Sequence, residues 1–96
     1  MYRILQTEAY RKWFRKLRDY AAKYSIALRL ERMRSGNFGD SKSVGGGVFE
    51  LRIDAGKGYR VYFKNRGKEI IVLLVGGDKS TQEDDIRKAR KIAEEI

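Results

Sequence analysis

The amino-acid sequence predicts an α+β fold in which helices pack against one small antiparallel sheet. Two observations indicate this class. Apolar residues recur at helical spacing in the first third of the chain and again near its end, while alternating or continuous apolar runs fill residues 47–77. The chain has 96 residues, so residues 1–96 are expected to form a single domain with no second core.

The first third of the chain combines a short strand pattern with two helical patterns. Residues 2–6 predict an edge strand, and Thr7 is a suitable N-cap for the helix that follows. Two helices packed as a hairpin are predicted over residues 8–35, ending near Gly36, with one long helix as the alternative. The expected apolar faces consist of Trp13, Phe14, Leu17, Tyr20, Ala21 and Tyr24, and then of Ile26, Ala27, Leu30 and Met33.

Three strands are predicted in the middle of the chain, with a fourth as an alternative. Apolar residues occupy every second position from Phe49 to Ile53 and from Tyr59 to Phe63, and the run Ile70–Val75 is apolar throughout. One face of the sheet is therefore expected to pack on the core, while the other presents arginines and an aromatic side chain to solvent. The polar face consists of Glu50, Arg52, Arg60, Tyr62 and Lys64. Arginine binds phosphate bidentately and tyrosine stacks on bases, so this face favours RNA binding over a solvated polar surface.

A final helix is predicted from Ser80, which forms a possible capping box with Glu83. Its expected buried face consists of Ile86, Ala89, Ile92 and Ala93. The turn before it, Gly76 to Lys79, offers backbone N–H groups and an ammonium group to an anion. Ordinary helix capping is the alternative interpretation of this turn.

The composition excludes several kinds of chemistry. The chain has no Cys and no His, so it has no thiol nucleophile, no disulfide and neither of the usual zinc ligands. No cofactor and no metal are expected, although a magnesium ion held by carboxylates remains open. No apolar run is long enough to cross a bilayer and no secretory signal is visible, so a cytoplasmic protein without membrane contact is expected.

The charge is strongly positive and unevenly distributed. The formal net charge is +9, and residues 1–36 hold ten Lys and Arg against three Asp and Glu. This asymmetry favours a polyanionic partner such as RNA, DNA or the ribosome, with a solvated basic surface or an acidic protein partner as alternatives. Candidate nucleic-acid-binding residues are Arg11, Lys12, Arg15 and Lys16 on the first helix and Lys64 in the sheet.

Four segments in order along the chain resemble a known family. They read Gly-Asn-Phe-Gly-Asp at 36–40, Gly-Gly-Gly-Val-Phe-Glu-Leu-Arg at 45–52, Gly-Tyr-Arg-Val-Tyr-Phe at 58–63, and Leu-Leu-Val-Gly-Gly-Asp-Lys-Ser-Thr-Gln at 73–82, followed by Asp85 and Ile86. Together with the N-terminal helices they cover nearly the whole chain. Their order and spacing resemble the addiction-module killer proteins, a branch of the RelE/HigB-like toxins of type II toxin–antitoxin systems.

The resemblance implies a RelE-like toxin fold, with a twisted antiparallel sheet flanked by an N-terminal helical hairpin and a C-terminal helix. It also implies a cognate antitoxin, usually a small helix-turn-helix protein. The implied activity is metal-independent cleavage of mRNA, in the best-known relatives on the ribosome. The alternatives are a non-enzymatic ParE-like toxin that binds a protein target such as DNA gyrase, and a simple nucleic-acid-binding or antitoxin-binding module.

The resemblance also implies roles for individual residues. Arg60 matches the arginine of a Tyr-Arg motif that contacts the reacting phosphate, Arg52 matches a basic strand residue, and Lys79 lies near a cation before the last helix. Beside them, Tyr62 is a further candidate for stacking or hydrogen bonding. Glu50 stands where an active relative can have lysine, so it is either a base or a partner of Arg52. The last helix has no Tyr or His, which leaves the acid–base assignment open.

Overall fold

The computed structural model describes all 96 residues as three helices and one five-stranded sheet. The elements in chain order are β1 (Arg3–Gln6), α1 (Glu8–Lys16), α2 (Tyr20–Arg34), β2 (Ser41–Gly45), β3 (Val48–Arg52), β4 (Arg60–Arg66), β5 (Ile70–Gly77) and α3 (Gln82–Glu95), with a 3-10 turn at Lys79–Thr81. These elements confirm the α+β class and the two separate N-terminal helices. None of the helices combines the length and the apolar character needed to span a bilayer.

The strands lie in the order β1-β5-β4-β3-β2. The pairs β2–β3, β3–β4 and β4–β5 are antiparallel. Strand β1 runs parallel to β5, with Ile4 opposite Ile71. The predicted antiparallel pairing is therefore found for four strands, and β1 adds a parallel edge to it. A parallel pair requires a long crossover connection, and here all the intervening elements supply it. The sequence left a fourth central strand open and did not locate β2, because its sequence, Ser-Lys-Ser-Val-Gly, is polar and ends in glycine.

Helices α1 and α2 pack on one face of the sheet. The alternation predicted for β3 and β4 is confirmed there, because Leu51, Val61 and Phe63 are completely buried. Tyr10 of α1 lies in the same core at 1% exposure, although it was not among the residues predicted to face the core. Ala27, predicted to be buried on α2, is exposed.

Helix α3 packs on the other face, which was predicted to be open to solvent. Ala89 and Ala93 of α3 are buried against a second apolar cluster that includes Tyr62. Both Glu50 and Tyr62 have 0% exposure, so the expectation of an accessible RNA-binding face is wrong at these two positions. The alternation of residue types indicates which face a side chain is on, but it does not tell whether a helix covers that face.

The start of α3 differs in detail from the prediction. Asp78, rather than Ser80, caps this segment, because its carboxylate accepts hydrogen bonds from the Ser80 backbone N–H at 2.8 Å and the Ser80 hydroxyl at 2.5 Å. Thr81 completes the capping box, and the helix proper begins at Gln82. The predicted box between Ser80 and Glu83 is therefore wrong.

Two glycines at the end of β5 allow α1 and α3 to approach the sheet closely. A Cβ atom on Gly76 would overlap the indole ring of Trp13, and one on Gly77 would overlap the carboxylate of Asp85. Both glycines are buried, and neither has a positive φ angle. They are therefore required for packing, and this packing fixes the start of α3 beside β4.

Candidate functional site

The candidate site lies where β3 ends and β4 begins, beside the start of α3. Arg52 and Arg60 are direct partners in the antiparallel pair, and Glu50 and Tyr62 form the next pair but one on the same face. The Arg52 side chain is 44% exposed and that of Arg60 is 11% exposed. Two like charges in such a cross-strand pair repel each other, so their proximity needs compensation.

The buried carboxylate of Glu50 supplies that compensation. Its Oε1 lies 3.6 Å from Nε of Arg52, and its Oε2 lies 3.4 Å from Nε of Arg60. The Tyr62 hydroxyl and the Gln82 side-chain amide both donate hydrogen bonds to Oε2, at 3.0 and 2.8 Å. Glu50 is thus the anionic centre of a network that joins β3, β4 and α3.

The pKa shifts of this pair follow from the network. Burial alone would raise the pKa of Glu50, but the hydrogen bonds from Gln82 and Tyr62 and the charges of Arg60 and Lys42 outweigh it, so the pKa is lowered. Burial, reinforced by the charge of Glu50, raises the pKa of Tyr62. At neutral pH Glu50 is therefore ionised and Tyr62 is protonated, as the hydrogen bond between them requires.

Gln82 is a site residue that the sequence analysis missed. It is the first residue of α3, and it occupies the same helical stripe as Ile86, Ala89 and Ala93. A polar residue on the sheet-facing stripe of an amphipathic helix was the available signal. It indicates a polar partner on the sheet, which the structure identifies as Glu50.

A small cavity of about 240 Å³ opens beside the two arginines, and Asp40 and Asp54 also line it. Gly58 lies in the same cavity with a φ of +75°, a conformation that favours glycine. Its carbonyl accepts a hydrogen bond of 2.8 Å from Nη1 of Arg60. A Cβ atom on Gly58 would lie 3.4 Å from the Cβ of Lys79, so Lys79 approaches the same point.

Two buried polar atoms in this network have no hydrogen-bond partner, Oε1 of Glu50 and Nε of Arg60. Unsatisfied buried polar atoms are uncommon in folded proteins, so these two single out this network for attention as a candidate site. The structure thus brings together five of the predicted site residues, namely Glu50, Arg52, Arg60, Tyr62 and Lys79.

The turn before α3 does not offer the free N–H groups that the sequence suggested. The carboxylate of Asp78 already occupies this position, and the hydrogen bond from Ser80 lowers its pKa. The first turn of α3 adds three further acids, Glu83, Asp84 and Asp85. Any anion bound here would therefore depend on the Lys79 side chain rather than on the helix start.

Two of the predicted site residues, Tyr62 and Lys64, make contacts that stabilise the fold. The ring of Tyr62 is completely buried, so it has no face on which a base can stack. The ammonium group of Lys64 donates hydrogen bonds to the carbonyl groups of Ala93 at 3.0 Å and Ile96 at 3.5 Å, at the C-terminal end of α3. A cation in this position stabilises the helix end.

The basic residues of α1 lie apart from the arginine site. Arg11, Lys12, Arg15 and Lys16 are all exposed. Lys12 and Lys16 line a separate cavity of about 590 Å³ with Trp13 and Asp85, and it shares no residue with the cavity of Arg52 and Arg60. Burial raises the pKa of Asp85, which accepts a 2.5 Å hydrogen bond from the Thr81 hydroxyl. No group of three or more Asp or Glu side chains is arranged to hold a metal ion.

The arrangement of the sheet and its three helices is that of the RelE-like toxins. The chain matches the structure of an arginine-to-alanine double mutant of E. coli toxin RelE in the free state, with a TM-score of 0.73 over 95% of both chains and 16% identity. It belongs to the family described as phage-derived protein Gp49-like (DUF891), whose model matches residues 5–95. Membership of this family of RelE-like toxins confirms the resemblance predicted from the sequence.

A relative in Haemophilus influenzae aligns with almost the whole chain. It is 50% identical over 93 residues, which are 97% of this chain and 94% of the relative, and it is described as an uncharacterized protein. The family, rather than this relative, therefore indicates the general role. That role is the toxin component of a toxin–antitoxin system, which is generally paired with an antitoxin.

Proposed function

We propose that this protein inhibits translation by cleaving mRNA without a metal ion, as a HigB-like toxin acting on the ribosome. The observation that supports this most directly is the convergence of Arg52, Arg60 and Lys79 around Gly58 above the buried carboxylate of Glu50. Two arginines line one small cavity and the Lys79 side chain packs beside its Gly58, and such a group of cations suits a ligand with concentrated negative charge, as at a phosphodiester.

Cleavage in this mechanism starts with attack of the RNA 2′-hydroxyl group on the adjacent phosphorus. Negative charge builds up on the phosphoryl oxygens, and the 5′-oxygen leaves with a proton. Arg60 is suited to stabilise that charge, because contacts to Glu50 and the Gly58 carbonyl hold its guanidinium group in place before substrate arrives. Arg52 is more exposed and approaches the same phosphate from the opposite strand.

Glu50 and Tyr62 are proposed as positioning residues rather than as groups that touch RNA. Glu50 is fully buried, and its Oε2 already accepts two hydrogen bonds. We therefore assign it the role of a partner for the arginines and not that of a base. The carboxylates lining the cavity, Asp40 and Asp54, are the available acceptors for the proton of the 2′-hydroxyl group.

Recognition of the ribosome is assigned to the exposed basic residues of α1. Arg11, Lys12, Arg15 and Lys16 project from the most basic third of the chain. A net charge of +9 accelerates encounter with a polyanion and makes the binding sensitive to salt. These residues supply attraction to ribosomal RNA, while the arginine cavity supplies the chemistry.

The test is to induce the wild-type chain and Arg60→Ala in bacterial cells and to map new 5′ ends of mRNA. We expect cuts within coding regions for the wild type and for Arg66→Ala, an exposed arginine on the same strand, but none for Arg60→Ala. Circular dichroism of each purified variant separates loss of activity from loss of fold. Arg52→Ala, at a half-exposed position, is expected to be partly active.

Two results would decide against mRNA cleavage. The first is intact mRNA in growth-arrested cells that show a DNA-damage response, which would indicate a ParE-like toxin acting on a protein such as DNA gyrase. The second is full toxicity of a folded Arg60→Ala variant, because the proposed chemistry depends on that guanidinium group.

A further inference from the structure

Helix α2 carries a row of apolar side chains that faces solvent, in addition to those that face the core. Tyr20, Tyr24 and Leu28 are 76%, 67% and 40% exposed, and they are spaced four residues apart, so they form one row on the helix. Ala21 and Ala27 beside the row are also exposed. Contiguous exposed apolar side chains of this kind are typical of a surface that a partner covers.

The surroundings of this row are positive. Nζ of Lys23 lies 5.8 Å from the ring centre of Tyr20, and the last turn of α2 contains Arg32 and Arg34. The acid on this side of the helix, Glu31, is already paired with Arg34 at 3.7 Å. A partner that covers the row therefore meets cations along its edges, which favours an acidic partner.

The charge also argues against a second copy of this chain as the occupant. Two chains with a net charge of +9 each would repel, most strongly at the basic first third to which α2 belongs. RNA is less suited to the row, because Leu28, Ala21 and Ala27 offer a base no ring on which to stack.

One end of the row leads towards the arginine site. Leu28 lines a cavity of about 440 Å³ together with Arg29 and Arg32. Asp40, Ile53 and Asp54 line this cavity and also that of Arg52 and Arg60. A chain segment that leaves the row at Leu28 can therefore follow this surface to the two arginines, and carboxylates on that segment would compete there with phosphate.

We propose that the row of Tyr20, Tyr24 and Leu28 is a docking surface for an amphipathic helix of an acidic protein partner. The partner helix is expected to carry apolar residues at intervals of three or four, flanked by Asp or Glu. Its apolar side chains would pack between those of the row. The inference rests on the proposed function in one respect, because a partner that docks on this row is expected to reach the site at which cleavage is proposed.

The test is photo-crosslinking in cells that express the gene from its own locus. A benzophenone amino acid replaces Tyr24, and in a control chain it replaces Lys68, which is exposed in the β4–β5 turn. We expect position 24, but not position 68, to crosslink to a protein that mass spectrometry identifies. The sequence of that protein is expected to be acidic and to contain an amphipathic helix. Binding of that purified protein is then measured by calorimetry to wild type, Tyr24→Phe, Tyr24→Glu and Leu28→Glu.

We expect Tyr24→Phe to bind as the wild type does, and both glutamate variants to bind at least about tenfold more weakly. Unchanged binding of the glutamate variants would overturn the inference, as would crosslinks at position 24 only to RNA or to a second copy. Mapping of mRNA ends after induction of the wild-type chain alone separates the two proposals. Cleavage by that chain, with no crosslink from position 24, contradicts the docking surface alone, and intact mRNA, with the crosslink present, contradicts the proposed nuclease alone.

Discussion

Arg52 and Arg60 lie directly opposite each other on β3 and β4 and share one buried carboxylate, that of Glu50. The carboxylate compensates the repulsion between the two guanidinium groups, so the arginines remain together without a ligand. The pair is therefore assembled in advance, which is the condition that the proposed stabilisation of developing charge requires.

Removing the charge of Glu50 is expected to weaken both fold and function. In Glu50→Gln the side-chain carbonyl still accepts from Tyr62 and Gln82, but the two guanidinium groups lose their counter-ion. We expect a loss on the order of 1–3 kcal/mol in the free energy of unfolding, measured by urea denaturation at pH 7. The exposed Glu69→Gln variant serves as the control and should be unchanged.

The stabilisation by Glu50 should also depend on pH. Its pKa is lower in the folded protein than its ordinary value of 4.5, so its contribution is fully present above pH 4.5 and is lost as pH falls through the folded value. The difference in unfolding free energy between wild type and Glu50→Gln should therefore be constant between about pH 5 and 7 and shrink below that. A difference that grew on acidification would contradict this assignment.

Asp85 should show the opposite dependence. Burial raises its pKa above the ordinary value of 3.8, so ionisation at neutral pH costs stability. Asp85→Asn keeps an acceptor for the Thr81 hydroxyl and removes that cost. We expect a higher thermal midpoint than wild type at pH 7 and no advantage once pH falls below 3.8. Asp84→Asn, at an exposed position, should show no gain at either pH.

The close contact between Gly77 and Asp85 predicts a pair of variants that depend on each other. Gly77→Ala places a methyl group in the space of the Asp85 carboxylate and should destabilise the protein by about 1–3 kcal/mol. Adding Asp85→Ala vacates that space and should restore part of the loss, with a remaining cost from Thr81, whose Oγ1 lies 2.9 Å from the same point. A double-mutant cycle by chemical denaturation measures the coupling. Strictly additive effects would show that the contact is unimportant.

Lys64 is expected to support α3 rather than bind nucleic acid. Lys64→Met removes its hydrogen bonds to the carbonyl groups of Ala93 and Ile96, at a cost of about 1 kcal/mol in unfolding free energy. Cleavage of mRNA and its salt dependence should remain those of the wild type. Lys68→Met, in the exposed turn, should change neither quantity. A selective loss of RNA affinity in Lys64→Met would restore the sequence-based prediction.

The elements with strong periodicity were predictable from the sequence. Strands β3, β4 and β5 carry alternating or continuous apolar residues, and these patterns report directly on the face that meets the core. Strand β2 has no such pattern and is held by its pairing with β3. The parallel contact of β1 with β5 was equally invisible, because pairing direction depends on the path of the whole chain.

The candidate site was predictable as a set of residues but not as an arrangement. The polar positions on β3 and β4 identified Glu50 and the arginines, yet the same polarity suggested exposure to solvent. Burial of Glu50 depends on Tyr62, its partner across the β3–β4 pair, and on Gln82, which is brought to it only when α3 packs on the sheet. Interactions between residues 32 positions apart leave no local pattern in a single sequence.

The pairing of β1 with β5 has a consequence for the timing of folding. The Thr7 hydroxyl donates to the Leu74 carbonyl, 67 residues later in the chain. A growing polypeptide therefore cannot complete this edge of the sheet until β5, which ends at Gly77, has left the ribosome, and contacts between such distant segments form late. Chains that end before β5 cannot form this edge, so the complete sheet forms only after the last strand has been synthesised.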